Sequence, residues 1–197
     1  MASTGSAAGF LIYIMTILFY KPYQVLSQFT REEAHHKCLA DFLDIPKSVY
    51  PIGRLDYDSE GLLVLSDEPG LNASMLNPDQ HVSKIYYAQL EGQISREAIQ
   101  QLCDGVEITL PNKKKYKTLP CKVKSINAPA LPERNPPIRQ RAHIADCWIS
   151  IELKEGKNRQ VRKMCAAVGF PVLRLVRMQF GEYKLNKLQP GKYERVD

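Results

Sequence analysis

Short apolar runs alternate with polar, turn-rich segments along the chain, and the runs set the expected architecture. Residues 10–20 are apolar, with branched and aromatic side chains, and read as a buried strand that ends at Lys21-Pro22. Thr30 and Glu33 have capping-box spacing, and Ala34, Cys38, Leu39 and Phe42 form an apolar stripe behind them. A helix is therefore expected over residues 30–43. Val49-Tyr50-Pro51-Ile52 is a short β-like run, and Leu62-Leu63-Val64-Leu65 is apolar without a break, as in a strand buried on both faces. The turn Asp67-Glu68-Pro69-Gly70 precedes a short helix at residues 71–76, and residues 84–92 read as a strand. Ser95 caps a helix that runs through Cys103 and stops at Gly105.

Residues 113–117 read as a basic loop, and Cys121, Val123 and Ile126 as a further strand. Residues 129–141 carry four of the 13 prolines and three arginines, so they are expected to be extended and irregular. Cys147, Ile149, Ile151 and Leu153 alternate with Trp148, Ser150 and Glu152, which marks a half-buried strand. Strands are many and closely spaced. The pattern predicts an α+β domain with a central, largely antiparallel sheet flanked by helices, not a βαβ repeat. Residues 1–15 read as a flexible leader or the start of the first strand, and residues 16–197 as one domain.

Composition narrows the function classes. The net charge of +6 and pI of about 9.0 favour a polyanionic partner. The apolar run at residues 10–20 is too short to span a bilayer and lacks the basic flank of a signal peptide. Cysteines 38, 103, 121, 147 and 165 form no CxxC pair, and histidines 35, 36, 81 and 143 show no metal-ligand spacing. Reduced cysteines, no metal and a cytoplasmic location are expected.

Three constellations carry chemistry. The first is Gly53-Arg54-Leu55-Asp56, followed by Tyr57-Asp58-Ser59-Glu60-Gly61, in a turn between two expected strands. With Asp67, these acids approach a calcium-loop pattern, but Pro51 and Gly53 stand where an EF-hand needs a helix. A two-carboxylate glycosidase is a second rival. Asp58 and Glu60 are expected to be solvated turn residues. The second constellation is a helix capped by Asn158 and ended by Gly169. Val161, Met164, Cys165 and Val168 lie on one face, with Arg159, Arg162 and Lys163 opposite. That cationic face suits either solvent or phosphate. The third is the strand Lys84-Ile85-Tyr86, whose tyrosine suits either core packing or base stacking.

Together these strings resemble the motifs of the pseudouridine synthases. Gly53-Arg54-Leu55-Asp56 is similar to that family's catalytic motif, Lys84-Ile85-Tyr86 to its K-x-Y strand, and residues 153–177 to its third motif. Tyr20-Lys21-Pro22 resembles its opening N-K-P strand, with Tyr20 in place of the usual asparagine. Arg134-Asn135-Pro136-Pro137-Ile138-Arg139 resembles the branch containing the large-subunit ribosomal synthase E, in the group named for small-subunit synthase A. The S4 domain that many members carry is not expected in residues 16–197, where no segment is long enough for one.

The resemblance implies an isomerase that converts a uridine of ribosomal RNA, in the 23S rRNA, to pseudouridine without a cofactor. Asp56 would be the catalytic carboxylate, Arg162 its ionic partner and Tyr86 the residue that stacks on the extruded base. Arg54 would enter the space the base leaves or meet a neighbouring phosphate. Arg139, Arg141, Arg159, Lys163, Arg174 and the lysines of residues 113–117 would contact the RNA backbone. The expected partner is RNA, with no DNA and no membrane, and the protein is expected to act as a monomer. The alternative is an RNA-binding or ribosome-assembly protein whose isomerase activity is absent or secondary.

Overall fold

A computed structural model of the chain describes residues 14–138 and 145–196. Its elements are β1 (Thr16–Lys21), β2 (Tyr50–Pro51), β3 (Glu60–Ser66), α1 (Leu71–Leu76), β4 (Lys84–Glu91), α2 (Arg96–Asp104) and β5 (Glu107–Thr109). They continue with β6 (Lys115–Lys117), β7 (Lys122–Ile126), β8 (Asp146–Leu153), α3 (Gln160–Ala167), β9 (Val172–Phe180), β10 (Tyr183–Lys184) and β11 (Tyr193–Val196). Nine strands form one sheet in the order β11-β1-β3-β9-β4-β8-β7, with β10 beside β9 and β2 beside β3. Among the described residues its pairings are antiparallel except β3 with β9. The expected α+β architecture is present.

β3 is apolar throughout because it has a core on each face. Leu62 and Val64 pack with Leu18, Tyr20, Val176 and Phe180, while Leu63 and Leu65 pack with Ile17, Phe19, Leu39 and Val49. A third core lies where Ala88, Leu90, Ile149 and Ile151 meet Leu102 of α2 and Val161, Met164 and Cys165 of α3. The apolar stripe of α3 is therefore buried, and Arg159 and Arg162 reach Asp58 in the turn that precedes β3. The parallel junction depends on Gly61. At φ 103° a Cβ there would lie 2.4 Å from the Arg177 carbonyl oxygen, so only glycine lets β3 approach β9 this closely.

Several expectations need correction. Residues 30–43 do not form an α-helix; only a single 3-10 turn, Leu39–Asp41, is present. The capping box here is Cys38 with Asp41, not Thr30 with Glu33. The backbone of the segment bonds elsewhere: Leu26 N to Lys37 O, and Leu39 N to Gln28 O, both at 2.9 Å. Ala34, placed on the helix stripe by sequence, is exposed. The basic loop is one arm of a β5–β6 hairpin, with Lys115 3.2 Å from Glu107. Asn158 does not cap α3; Arg159 holds that position. Gly169 follows the helix at φ 90°, as expected of a stop. All five cysteines are free. No helix among the described residues is long and apolar enough to cross a membrane.

Candidate active site

A cleft of about 720 Å³ opens where residues 53–59 meet β4, β9 and the segment before α3. Arg54, Asp56, Lys84, Tyr86, Lys157 and Arg159 all line it. Residues from three distant parts of the chain thus share one concave surface, with a carboxylate among cations. Asp56 is held through its neighbours. The buried Ser27 hydroxyl accepts from Leu55 N at 3.1 Å and donates to Leu55 O at 2.9 Å. Gln24 N donates to Tyr57 O at 2.9 Å, and Ser59 N donates to Asp56 O at 3.0 Å. Backbone bonds on both sides of Asp56 fix its main chain, and so the point from which its side chain enters the cleft, as preorganised chemistry requires.

The cations do not pair as expected. Arg159 makes a bidentate pair with Asp58, at 2.8 and 2.7 Å, and its Nη1 lies 3.9 Å from Asp56 Oδ2. Arg162 turns behind this pair. Its Nη2 donates to Asp58 O, its Nη1 donates to Val172 O at 3.2 Å, and its Nε lies 3.4 Å from Asp58 Oδ2. Arg162 is not among the residues that line the cleft; its close ionic contact is with Asp58, which it anchors, while the Asp56 charge also acts on it. Asp58 is correspondingly not a solvated turn residue. Burial alone would raise its carboxyl, but the Arg159 hydrogen bonds and the charges of Arg162 and Arg159 outweigh that and hold it below the usual carboxylate range. Gln24 and Arg159, on either side of this loop, adopt left-handed φ of 57° and 52°. Such strain in non-glycine residues is often found at working sites.

Glu60 and Arg174 also depart from expectation. Glu60 is 2% exposed and Arg174 6%, and they form a bidentate pair at 2.8 Å for both bonds. Arg174 Nη2 also donates to Pro132 O at 2.9 Å. Arg174 is therefore a core residue and cannot meet RNA phosphates, and Glu60 belongs to a strand, not to a calcium loop. Tyr20, in the same buried cluster, is pushed up to about 12 by burial and by Glu60.

Lys21 is fully buried, and its Nζ donates to Pro22 O at 3.0 Å and Val25 O at 2.7 Å. Burial pulls it down to about 7, against Glu60, Asp58 and Asp56. A neutral amine keeps two N–H donors, one for each carbonyl. An unfolded lysine titrates near 10.4. Between roughly pH 7 and 10 the unfolded chain binds more protons than the folded one, so the Lys21 contribution to stability rises with pH. Urea unfolding midpoints of the wild type are expected to climb across that range relative to those of Lys21→Met. Parallel curves would show that the amine stays charged.

Tyr86 stands on β4 between Ile151 of β8 and Arg177 of β9, with its side chain on the cleft. Lys84 lies on the same face, two residues earlier, with Nζ 5.0 Å from the Phe180 ring centre. The period-two pattern of a strand puts it on the cleft side with Tyr86. Nothing in the local sequence of Ser27 marks it. Lys163 donates to Asn158 Oδ1 at 3.3 Å at the start of α3. Arg139 and Arg141 lie outside the described residues. Glu33, His35 and His36 gather with donor atoms within 4.8 Å of one another, which the histidine spacing did not suggest. None of the three lines the cleft, but the His36 ring packs 5.1 Å from that of Tyr57, which does.

Residues 15–167 match the family model described as RNA pseudouridylate synthase. A Vibrio parahaemolyticus protein named ribosomal large subunit pseudouridine synthase E is 46% identical over 180 residues, covering 91% of this chain and 73% of that protein. A Xanthomonas campestris protein of the same name is 44% identical over 185 residues, covering 93% and 95%. A crystal structure of a pseudouridylate synthase aligns with TM-score 0.75 at 23% identity, over 94% of this chain and 71% of that one, and so shares the fold. The enzyme class expected from the motifs, an isomerase that makes pseudouridine in RNA, is that of the matched family. The chain belongs to the RNA pseudouridylate synthase family.

Proposed function

We propose that this protein isomerises a specific uridine of large-subunit ribosomal RNA to pseudouridine, with Asp56 as the catalytic carboxylate. One observation carries the reading: three segments far apart in sequence, with Arg54 and Asp56 on the first, Lys84 and Tyr86 on the second and Lys157 and Arg159 on the third, line one cleft. Relatives named for the large ribosomal subunit support the choice of RNA. The cations suit a phosphate backbone, and the enzyme acts as a cytoplasmic monomer on RNA, not DNA.

The target nucleotide must leave its stack to reach the cleft. Tyr86 stacks on the extruded uracil, and Arg54, exposed at the rim, fills the vacated space or meets a flanking phosphate. Asp56 then acts on the ribose, as nucleophile at C1′ or as the base that takes the C2′ proton. Both routes need the carboxylate ionised. The C1′–N1 bond breaks, the uracil turns, C5 bonds to C1′, and the C5 proton is lost while N1 gains one. Atoms and electrons balance with no cofactor. Arg159 supplies the nearby positive charge, and Asp58 with Arg162 holds Arg159 in place. Arg162 is thus a positioning residue.

Pseudouridine maps of ribosomal RNA from cells with and without the protein test the reading. At least one large-subunit uridine is expected to lose modification in its absence and to regain it with purified enzyme. Unchanged maps would overturn the assignment and favour a binding role.

A further inference from the structure

A second, shallower depression adjoins the cleft, lined by Ser27, Gln28, Tyr50, Gly53, Arg54, Asn72 and Leu76 among others. Four of these residues, Ser27, Gly53, Arg54 and Leu76, also line the main cleft, so the two surfaces are continuous and Arg54 stands between them. The depression carries two unusual exposures. Tyr50 is 60% exposed although the flanking Val49 and Ile52 are buried, and Leu76 is 43% exposed although its neighbour Met75 packs into the core. Gln28 and Asn72 put two side-chain amides beside them, and Gln28 Oε1 accepts from Arg54 Nη2 at 3.3 Å. An aromatic face, an apolar floor and amide donors and acceptors match the needs of an unstacked nucleobase.

We propose that this depression is a subsite for the nucleotide next to the target uridine in the same RNA strand. The proposal rests on the isomerase reading for the identity of the strand. The base lies on the Tyr50 ring, and Gln28 and Asn72 meet its polar edge. The phosphate that joins it to the target falls at Arg54, whose guanidinium is within reach of both surfaces. A single arginine between two base-sized surfaces is the charge arrangement that two linked nucleotides require. Extrusion of the target then draws its neighbour out of the stack as well, so Tyr50 contributes to choice of sequence context.

Binding measurements separate this subsite from the catalytic pocket. The probes are uridine monophosphate and heptauridylate, titrated against wild type, Tyr50→Ala and Tyr50→Phe. Tyr50→Ala is expected to weaken heptauridylate binding about tenfold, the scale of one lost stacking contact, and to leave the monophosphate unchanged. Tyr50→Phe keeps the ring and should bind both probes as wild type does. Equal heptauridylate affinity in wild type and Tyr50→Ala would overturn the subsite. Equal weakening of both probes would also overturn it, since Tyr50 would then be shaping the catalytic pocket. These readouts need no turnover, so the isomerase reading stands or falls separately on product formed in ribosomal RNA.

Discussion

Asp56→Asn is expected to abolish pseudouridine formation on large-subunit ribosomal RNA, a loss of about a thousandfold or more, while fold and RNA affinity stay near wild type. The substitution keeps shape and volume and removes only the ionisable oxygen. The tethers that place residue 56 run through the backbone of Leu55 and Tyr57 and the Ser27 hydroxyl, so they survive. Arg159 keeps its bidentate pair with Asp58, so no cation is stranded. Single-turnover product formation, thermal melting and RNA titration on the same preparation check the three parts. Isomerisation at the wild-type rate in Asp56→Asn would remove Asp56 from the chemistry. Loss of folding would mean that its charge is structural.

The fold was largely legible because its signals are local. The unbroken apolar run of β3, the alternation in β8, the Ser95 cap and the Gly105 stop each placed an element where the structure has one. The segment at 30–43 misled because a helix cap pattern was present but its backbone found partners across a loop, at Lys37 and Gln28. Tertiary pairing overrode a local signal there.

The site was legible in outline and misread in its ionic detail. Asp56, Tyr86 and Arg54 share the cleft as their motifs implied. By sequence Asp58 and Glu60 read as solvent-facing acids because each partner is remote: Arg159 is 101 residues from Asp58, and Arg174 is 114 from Glu60. No pattern of local spacing can report such a pair. The motif sets Arg162 against Asp56; in the structure its hydrogen bonds go to the Asp58 and Val172 carbonyls, and it feels the charges of both Asp58 and Asp56. The acids of the loop therefore divide by depth. Asp56 faces the cleft, Asp58 holds the cationic helix, and Glu60 locks the sheet.

The deepest of these acids gives the largest expected effect on stability. Arg174→Met leaves the Glu60 carboxylate buried without its cation and the Pro132 carbonyl without its donor. Removing one partner of a buried pair typically costs about 3–5 kcal/mol. For a chain of this size that corresponds to a fall in melting temperature on the order of 10 °C. Glu60→Gln combined with Arg174→Met should recover much of the loss, since neither charge is then stranded, and the double-mutant cycle measures the coupling. RNA binding adds an independent readout. Because Arg174 is buried, the salt dependence of affinity should keep its wild-type slope in Arg174→Met, whereas loss of a phosphate contact flattens it. A variant that melts like wild type and binds RNA with a shallower slope would return Arg174 to the RNA surface. A variant that melts early with its slope intact would place Arg174 in the frame of the site: its pair with Glu60 fixes the start of β3, two residues after Asp58 and four after Asp56.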